Sequence, residues 1–312
     1  MCVFPRPSTS LLAGAGLAAT LLALATPGLA AAPAPAPAGT APVRIVPYEV
    51  RYRVSLQHAE DRAGLVVADG VLTSRLAGSA CAGWSSTSGM RVRFVFRREG
   101  VRETESRVTS WESDDGNQFV SRIERLLNGA PIERIRVSVE RSGPGLPFHL
   151  RMRLPEKRNA TLPASTLFPT AALKKILRAA MNGTPGLTML LYEGDEETSP
   201  QHVVATIGRR HAPLAQAGSD GSETAASPTP APLRGLAYWP VSLAYYGAVT
   251  RADGSTPTDK QREAARFGLP EYEVHFRLYE NGISGNATLV YPDYVLKATV
   301  HDLKLLPPEK CD

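Results

Sequence analysis

Tyr48-Glu49-Val50-Arg51-Tyr52-Arg53-Val54-Ser55-Leu56-Gln57 alternates without a break. Tyr48, Val50, Tyr52, Val54 and Leu56 share one face; Glu49, Arg51, Arg53, Ser55 and Gln57 share the other. Successive side chains of a strand point to opposite sides, so this stretch is a half-buried β-strand. The pattern returns in 90–96, with Met90, Val92, Phe94 and Phe96 inward and Arg91 and Arg93 outward. Weaker copies cover 118–126, 132–140, 146–154, 187–192, 202–207, 241–246, 272–279, 285–291 and 294–303. Glu280-Asn281-Gly282 has the composition of a hairpin turn between two of them. Many short antiparallel strands with one wet face imply a large curved sheet, an open barrel or a sandwich.

One helix interrupts the strands. Leu173, Ile176, Leu177, Ala180 and Met181 form an apolar stripe at helical spacing, with Thr170 as the expected N-cap and Asn182-Gly183 as the stop. Such a helix is expected to plug the concave face or cover one edge of the sheet. A weaker helical pattern spans 259–266.

The N-terminus has the form of an export signal. Arg6 is its one charge, the apolar run extends from about Leu11 to Ala25, and Gly28-Leu29-Ala30 is a small-x-small cleavage site. The run is too short for a bilayer, which needs about 20 apolar residues. Residues 1–30 are therefore expected to be removed and 31–45 to form an Ala/Pro-rich spacer. The remainder, 46–312, is expected to be a single domain with a flexible loop insertion at 212–234. That insertion is rich in Ala, Ser, Pro and Gly, a composition too poor in apolar surface to fold by itself.

Cleavage would remove Cys2 and leave Cys81 and Cys311. Two thiols in an exported chain are expected to be oxidised to each other. The bridge would close a loop of about 231 residues, which the chain-entropy relation puts at roughly 5 kcal/mol as an upper value.

Loss of Arg6 with the leader takes the formal charge from +5 to +4, too weak a balance to argue for nucleic acid. All but seven of the 35 basic residues are arginine, a choice that suits carboxylate or phosphate ligands but is equally explained by coding bias. No G-x-S-x-G, H-E-x-x-H, C-x-x-C or Gly-rich phosphate loop occurs. The six histidines are scattered, with His275 and His301 on strands, and a Ser/His/acid site could assemble only through the fold. Glu193, Asp195, Glu196 and Glu197 lack the ligand spacing of a calcium loop and are expected in a solvated turn. Asn159-Ala160-Thr161 and Asn286-Ala287-Thr288 match the glycosylation sequon pattern. Tyr238, Trp239, Tyr245, Tyr246, Tyr272, Phe276, Tyr279, Tyr291 and Tyr294 crowd the C-terminal third. They could line a groove, but their alternation makes most of them ordinary core.

Several segments are distinctive together. They are Leu162-Pro163-Ala164-Ser165-Thr166-Leu167-Phe168-Pro169-Thr170, then Leu191-Tyr192-Glu193-Gly194-Asp195, Thr206-Ile207-Gly208-Arg209 and Trp239-Pro240-Val241. Tyr272-Glu273-Val274-His275-Phe276-Arg277-Leu278-Tyr279-Glu280-Asn281-Gly282 follows, with Asp302-Leu303 and Cys311 at the end. In order and spacing, from about Tyr48 to Cys311, the chain resembles the EipB-like family of alphaproteobacterial cell-envelope integrity proteins. The resemblance implies a mainly β fold: a large, spiral, open-barrel-like antiparallel sheet with one packed helix near 170–182. It places Cys81 and Cys311 where the family has its disulfide, and Leu162, Pro163, Thr166, Leu167, Phe168, Pro169 and Thr170 in a structural family motif. It implies a periplasmic location and no reaction, hence no catalytic residue, cofactor or metal. Segment 212–234 is longer than the family pattern.

The expected function is a non-enzymatic periplasmic scaffold that maintains envelope integrity through a protein partner, with a helical-repeat (TPR-type) protein as the specific candidate. Contact with envelope lipid or peptidoglycan is a further expectation, and nucleic acid is not a partner. The alternative is a carrier that holds a lipid or lipopeptide against the concave face.

Overall fold

The computed structural model describes residues 43–195, 198–213, 229–247 and 268–311. The expected leader at 1–30, most of the spacer and the weak helical pattern at 259–266 lie outside the described residues, as does the central part, 214–228, of segment 212–234.

Among the described residues, fifteen strands form one sheet. The first eight are β1 (Tyr48–Ala59), β2 (Leu65–Ser79), β3 (Gly83–Phe96), β4 (Gly100–Glu112), β5 (Gln118–Leu127), β6 (Ala130–Glu140), β7 (Phe148–Leu154) and β8 (Arg158–Leu162). A two-residue β9 (Thr166–Leu167) precedes the helix α1 (Pro169–Met181). The remaining strands are β10 (Gly186–Leu191), β11 (Gln201–Ile207), β12 (Tyr238–Tyr246), β13 (Tyr272–Tyr279), β14 (Ser284–Val290) and β15 (Tyr294–Leu305).

The order across the sheet is β8-β7-β6-β5-β4-β3-β2-β1-β15-β14-β13-β12-β11-β10-β9. Two meanders run in opposite directions from a central seam where β1 and β15 pair antiparallel, Tyr48 opposite Leu305 and Val54 opposite Ala298. The sheet curls far enough to resemble a barrel, but its two ends, β8 and β9, are not paired to each other. Among the described residues the architecture is thus a curved sheet, antiparallel apart from the β9–β10 pair, with one α-helix.

β1 shows why. Its burial alternates from Tyr48 to Val54, and Tyr48, Val50, Tyr52 and Val54 are all fully inside. At Asn128-Gly129, between β5 and β6, both residues have positive φ, 51° and 80°. That is the mirror-image turn a two-residue hairpin requires. Asn281-Gly282 closes the β13–β14 hairpin, where the Gly282 N–H donates to the Tyr279 carbonyl at 2.8 Å.

The concave side holds two apolar clusters. The larger gathers β1–β3, β10–β15 and the inner stripe of α1. The smaller gathers β4–β8 with Phe168 and Tyr192. The crowded aromatics of the C-terminal third belong mostly to the larger cluster, with Tyr245 stacked on Tyr272 at 4.3 Å.

Four strands escaped the sequence reading: β2, β4, β8 and β9. β4 presents Ser106, Val108, Ser110 and Glu112 inward, so its inner face is not apolar and the alternation does not show. Two residue-level expectations are corrected. Met181 is 40% exposed and not part of the buried stripe, because the helix ends there. Glu193 and Asp195 are buried and not in a solvated turn. The cause is Gly194, whose φ of +86° turns the chain onto β5, where a Cβ would lie 2.3 Å from that of Ser121.

Candidate functional site: the helix-bearing joint

The distinctive 162–170 segment links the two ends of the sheet. Leu162 closes β8 with its side chain fully buried. Residues 163–166 make a tight turn, with Thr166 N–H donating to the Pro163 carbonyl at 3.0 Å. Arg141 holds this turn from outside: one guanidinium N–H donates to the Ala164 carbonyl at 3.3 Å, and another to Asn117 at 2.5 Å. The same guanidinium lies over the Phe148 ring, 4.5 Å from its centre. Leu167 is only partly buried and continues β9, its carbonyl accepting from Tyr192 at 3.0 Å.

Phe168 is the joint. Its relative exposure is 0%; it stacks on Phe119 at 4.7 Å and meets Phe148 edge-on at 5.1 Å. Preceding a proline, it is restricted to extended backbone, observed at φ −101°, ψ 168°. Pro169 then occupies the first helical position, where its missing N–H does no harm. The helix cap therefore lies two residues earlier than expected, at Phe168, and Thr170 is inside the helix.

Phe168 has no side-chain acceptor to offer the first N–H groups of α1. The acceptor comes from β4. The Glu112 carboxylate accepts from Thr170 N–H at 2.7 Å and from Ala171 N–H at 2.9 Å. It satisfies two orphan donors and sits at the positive end of the helix dipole. Glu112 is 3% exposed, and burial pushes its pKa up to about 7 against the opposing pull of those hydrogen bonds and of Lys174. Beside it, Asp114 accepts from the Trp84 indole N–H at 2.6 Å and pairs with Lys174 of α1, whose ammonium lies 5.5 Å from the Trp84 ring centre. At its other end α1 stops on Gly183, φ +71°, with Thr184 N–H donating to Ala179 at 2.9 Å and Gly183 N–H to Ala180 at 3.1 Å.

The disulfide lies at the same rim of the sheet. Cys81, in the β2–β3 turn, is bonded to Cys311, with Cα atoms 5.7 Å apart. The tail after β15 is further tied by Glu309 N–H to the Gly78 carbonyl at 3.3 Å. Trp111, on β4, donates its indole N–H to the Ala82 carbonyl at 3.3 Å. Disulfide turn, β4 and helix start are thus adjacent along one rim.

A Ser–His–carboxylate chain does assemble, away from this joint. Ser242 Oγ and His275 Nδ1 are 2.6 Å apart, and His275 Nε2 is 3.2 Å from Glu273. Ser242 and His275 are cross-strand partners on the polar side of β12 and β13. Ser242 lies inside a strand paired on both sides, so its neighbouring N–H groups are engaged in the ladder and do not converge on an oxyanion. Geometry of this kind stabilises a sheet face. Among the described residues no group of three or more His, Cys, Asp or Glu side chains could hold a metal ion, and no helix is long and apolar enough to cross a membrane.

The sequence pointed to the joint through Phe168 and Pro169, and to Tyr192 as part of a distinctive segment, but not to Glu112, Asp114 or Arg141. Only strand parity could have flagged Glu112 as inward-facing, and β4 itself was not recognised.

Comparison with known proteins agrees with this architecture. The family model described as EipB-like matches residues 39–307. The cell envelope integrity protein EipB of Brucella abortus (strain 2308) is 25% identical over 269 residues, covering 84% of this chain and 85% of that protein. A crystal structure of a beta-barrel-like protein of domain of unknown function DUF1849 from Brucella abortus superposes with a TM-score of 0.70 at 20% identity. That superposition covers 85% of this chain and all of the other, and it supports the fold. With a match across most of its length, the chain belongs to the EipB-like family.

Proposed function

We propose that the protein is a non-enzymatic periplasmic scaffold that maintains the cell envelope by binding a protein partner. The envelope role rests on family membership and on the named Brucella relative. The observation that favours a scaffold over a lipid carrier is α1. Ala172, Leu173, Ile176, Leu177 and Ala180 pack into the larger cluster on the concave side, and Phe168 and Tyr192 fill the smaller one. A helix seated there leaves the outer face and the sheet ends as the surfaces to offer a partner. A helical-repeat (TPR-type) protein is the partner to test first.

The test is in vivo crosslinking in the periplasm followed by purification, alongside a deletion strain. Deletion should sensitise cells to detergent and to cell-wall antibiotics, and restoration should require export. His275→Ala should restore fully, because no proton transfer is involved. A folded His275→Ala protein that reproduces the deletion phenotype would overturn the non-enzymatic reading. Native mass spectrometry of periplasmic protein carrying a retained acyl species would overturn the scaffold reading in favour of the carrier.

A further inference from the structure

We propose that the gap between β8 and the β9–β10 end of the sheet takes an extended, acidic segment of a partner protein, which adds to β8 as a new strand. This deepens the scaffold reading and rests on it.

The first observation is the sheet order. Thirteen strands have a neighbour on each side; β8 and β9 end the series, although only residues 163–165 part them in sequence. β9 covers β10 only at Leu190 and Leu191, so Gly186–Met189 is also an edge. β8 pairs with β7 from Arg158 to Leu162. Among the described residues, no other backbone hydrogen bond reaches Arg158–Leu162. A row of unpaired N–H and C=O groups recognises another extended backbone.

The second observation is charge. The β7–β8 hairpin carries Arg151, Arg153, Lys157 and Arg158 against one carboxylate, Glu156. Arg151 pairs with Glu140 and Arg158 with Glu156. Arg153 and Lys157 are exposed and, among the described residues, form no ion pair. Across the gap, α1 joins β9 to β10 and exposes Lys175 and Arg178, which likewise form none. Cations on both sides disfavour docking of a second copy of this same edge and favour an acidic strand. Five residues of β8 set the length that pairs.

The experiment uses the mature, disulfide-bonded protein and a fluorescent ten-residue peptide alternating Glu and Val. Three results are expected. Binding protects the Arg158–Leu162 amides from hydrogen exchange. A peptide with alternate backbone amides N-methylated binds about tenfold weaker or worse, because a strand without donors cannot complete the ladder. The exposed-site variant Arg153→Glu/Lys157→Glu keeps its melting temperature and loses about tenfold in affinity at low salt. Absence of binding, equal binding of the methylated peptide, or protection confined to other strands overturns the proposal. Binding of anionic phospholipid vesicles without protection of β8 overturns it in favour of a headgroup site. In cells the two readings separate. A partner still crosslinked to the Arg153→Glu/Lys157→Glu variant removes the edge but keeps the scaffold. No partner crosslinked to the wild-type protein removes the scaffold itself.

Discussion

The wall made by β1–β3 and β12–β15 and the wall made by β4–β8 belong to one sheet, yet they are held together differently. The first gathers its core from its own strands, from β10 and β11 and from the inner stripe of α1: Tyr48, Val50, Tyr52 and Val54 of β1 share one cluster with Leu278, Leu289 and Leu296 and with Leu173, Ile176 and Leu177 of the helix. The second is smaller: ten side chains of β4–β8 are completed by two visitors, Phe168 from the joint and Tyr192 from the end of β10. The difference teaches that a large cluster spreads its dependence over many strands and a whole helix face, whereas a small one concentrates it in single side chains delivered from a distance.

Removing the visitor should give the largest effect. Phe168→Ala deletes a fully buried ring that stacks on Phe119 and touches Phe148, so a loss of about 3–5 kcal/mol is expected. The damage should be local: hydrogen exchange should accelerate in β5–β8 well before β12–β15. Uniform acceleration across the sheet would show that the two walls are one cooperative unit.

The disulfide comes next. Cys81→Ser or Cys311→Ser should lower stability by about 2–5 kcal/mol, chiefly by releasing the unfolded chain. Thiol labelling of the native, unreduced mature protein should find no reactive cysteine. The bridge ties β2–β3 to the tail after β15, so its loss should loosen the first wall and spare β5–β8. Equal loosening of both walls would contradict that division.

Much of the first wall was legible because its inner positions are apolar and its outer ones charged, as in β1 and at Met90-Arg91-Val92-Arg93-Phe94. The second wall was legible only in part. β5, β6 and β7 alternate clearly, but β4 turns serines and a glutamate inward, and β8 is an Arg-Asn-Ala-Thr-Leu edge with one buried apolar residue. The joint was visible as a motif and its apolar residues as core. Its polar half was not, because Glu112 and Thr170 are 58 residues apart and nothing local marks their hydrogen bond. Helix starts are read from adjacent caps, and here the cap comes from another strand. The buried Glu193 and Asp195 were misread for a related reason: acidic residues around a glycine look like a surface turn until that glycine is seen to point the chain inward.

Glu112 gives the third prediction. Its folded-state pKa is raised, to about 7, above the ordinary carboxylate value. The native state therefore binds the proton more tightly than the unfolded chain, and the stabilisation it brings is complete below the unfolded pKa and lost as pH rises through 7. Between roughly pH 5 and 8 the wild type should lose about 2–3 kcal/mol from this group. Glu112→Gln should flatten that slope, as read from urea unfolding at several pH values. A slope unchanged by the substitution would place the titration elsewhere.

The smallest effect is expected where the first wall meets its low-complexity connection between β11 and β12. The composition of 214–228, rich in Ala, Ser, Gly and Pro, offers no apolar face to bury. The C-terminal end of the larger 212–234 segment differs: Ala231–Leu233 forms a 3-10 turn and Leu233 is 1% exposed, part of the larger cluster. Replacing 214–228 with a Gly-Ser link of comparable reach should thus change stability by less than about 0.5 kcal/mol, since surface substitutions away from packed features rarely do more. Extending the replacement through Leu233 should lower the melting temperature clearly, because it removes a side chain from the wall's own core. If the shorter replacement destabilised as much as the longer one, the effect would come from the connection as a whole and not from Leu233.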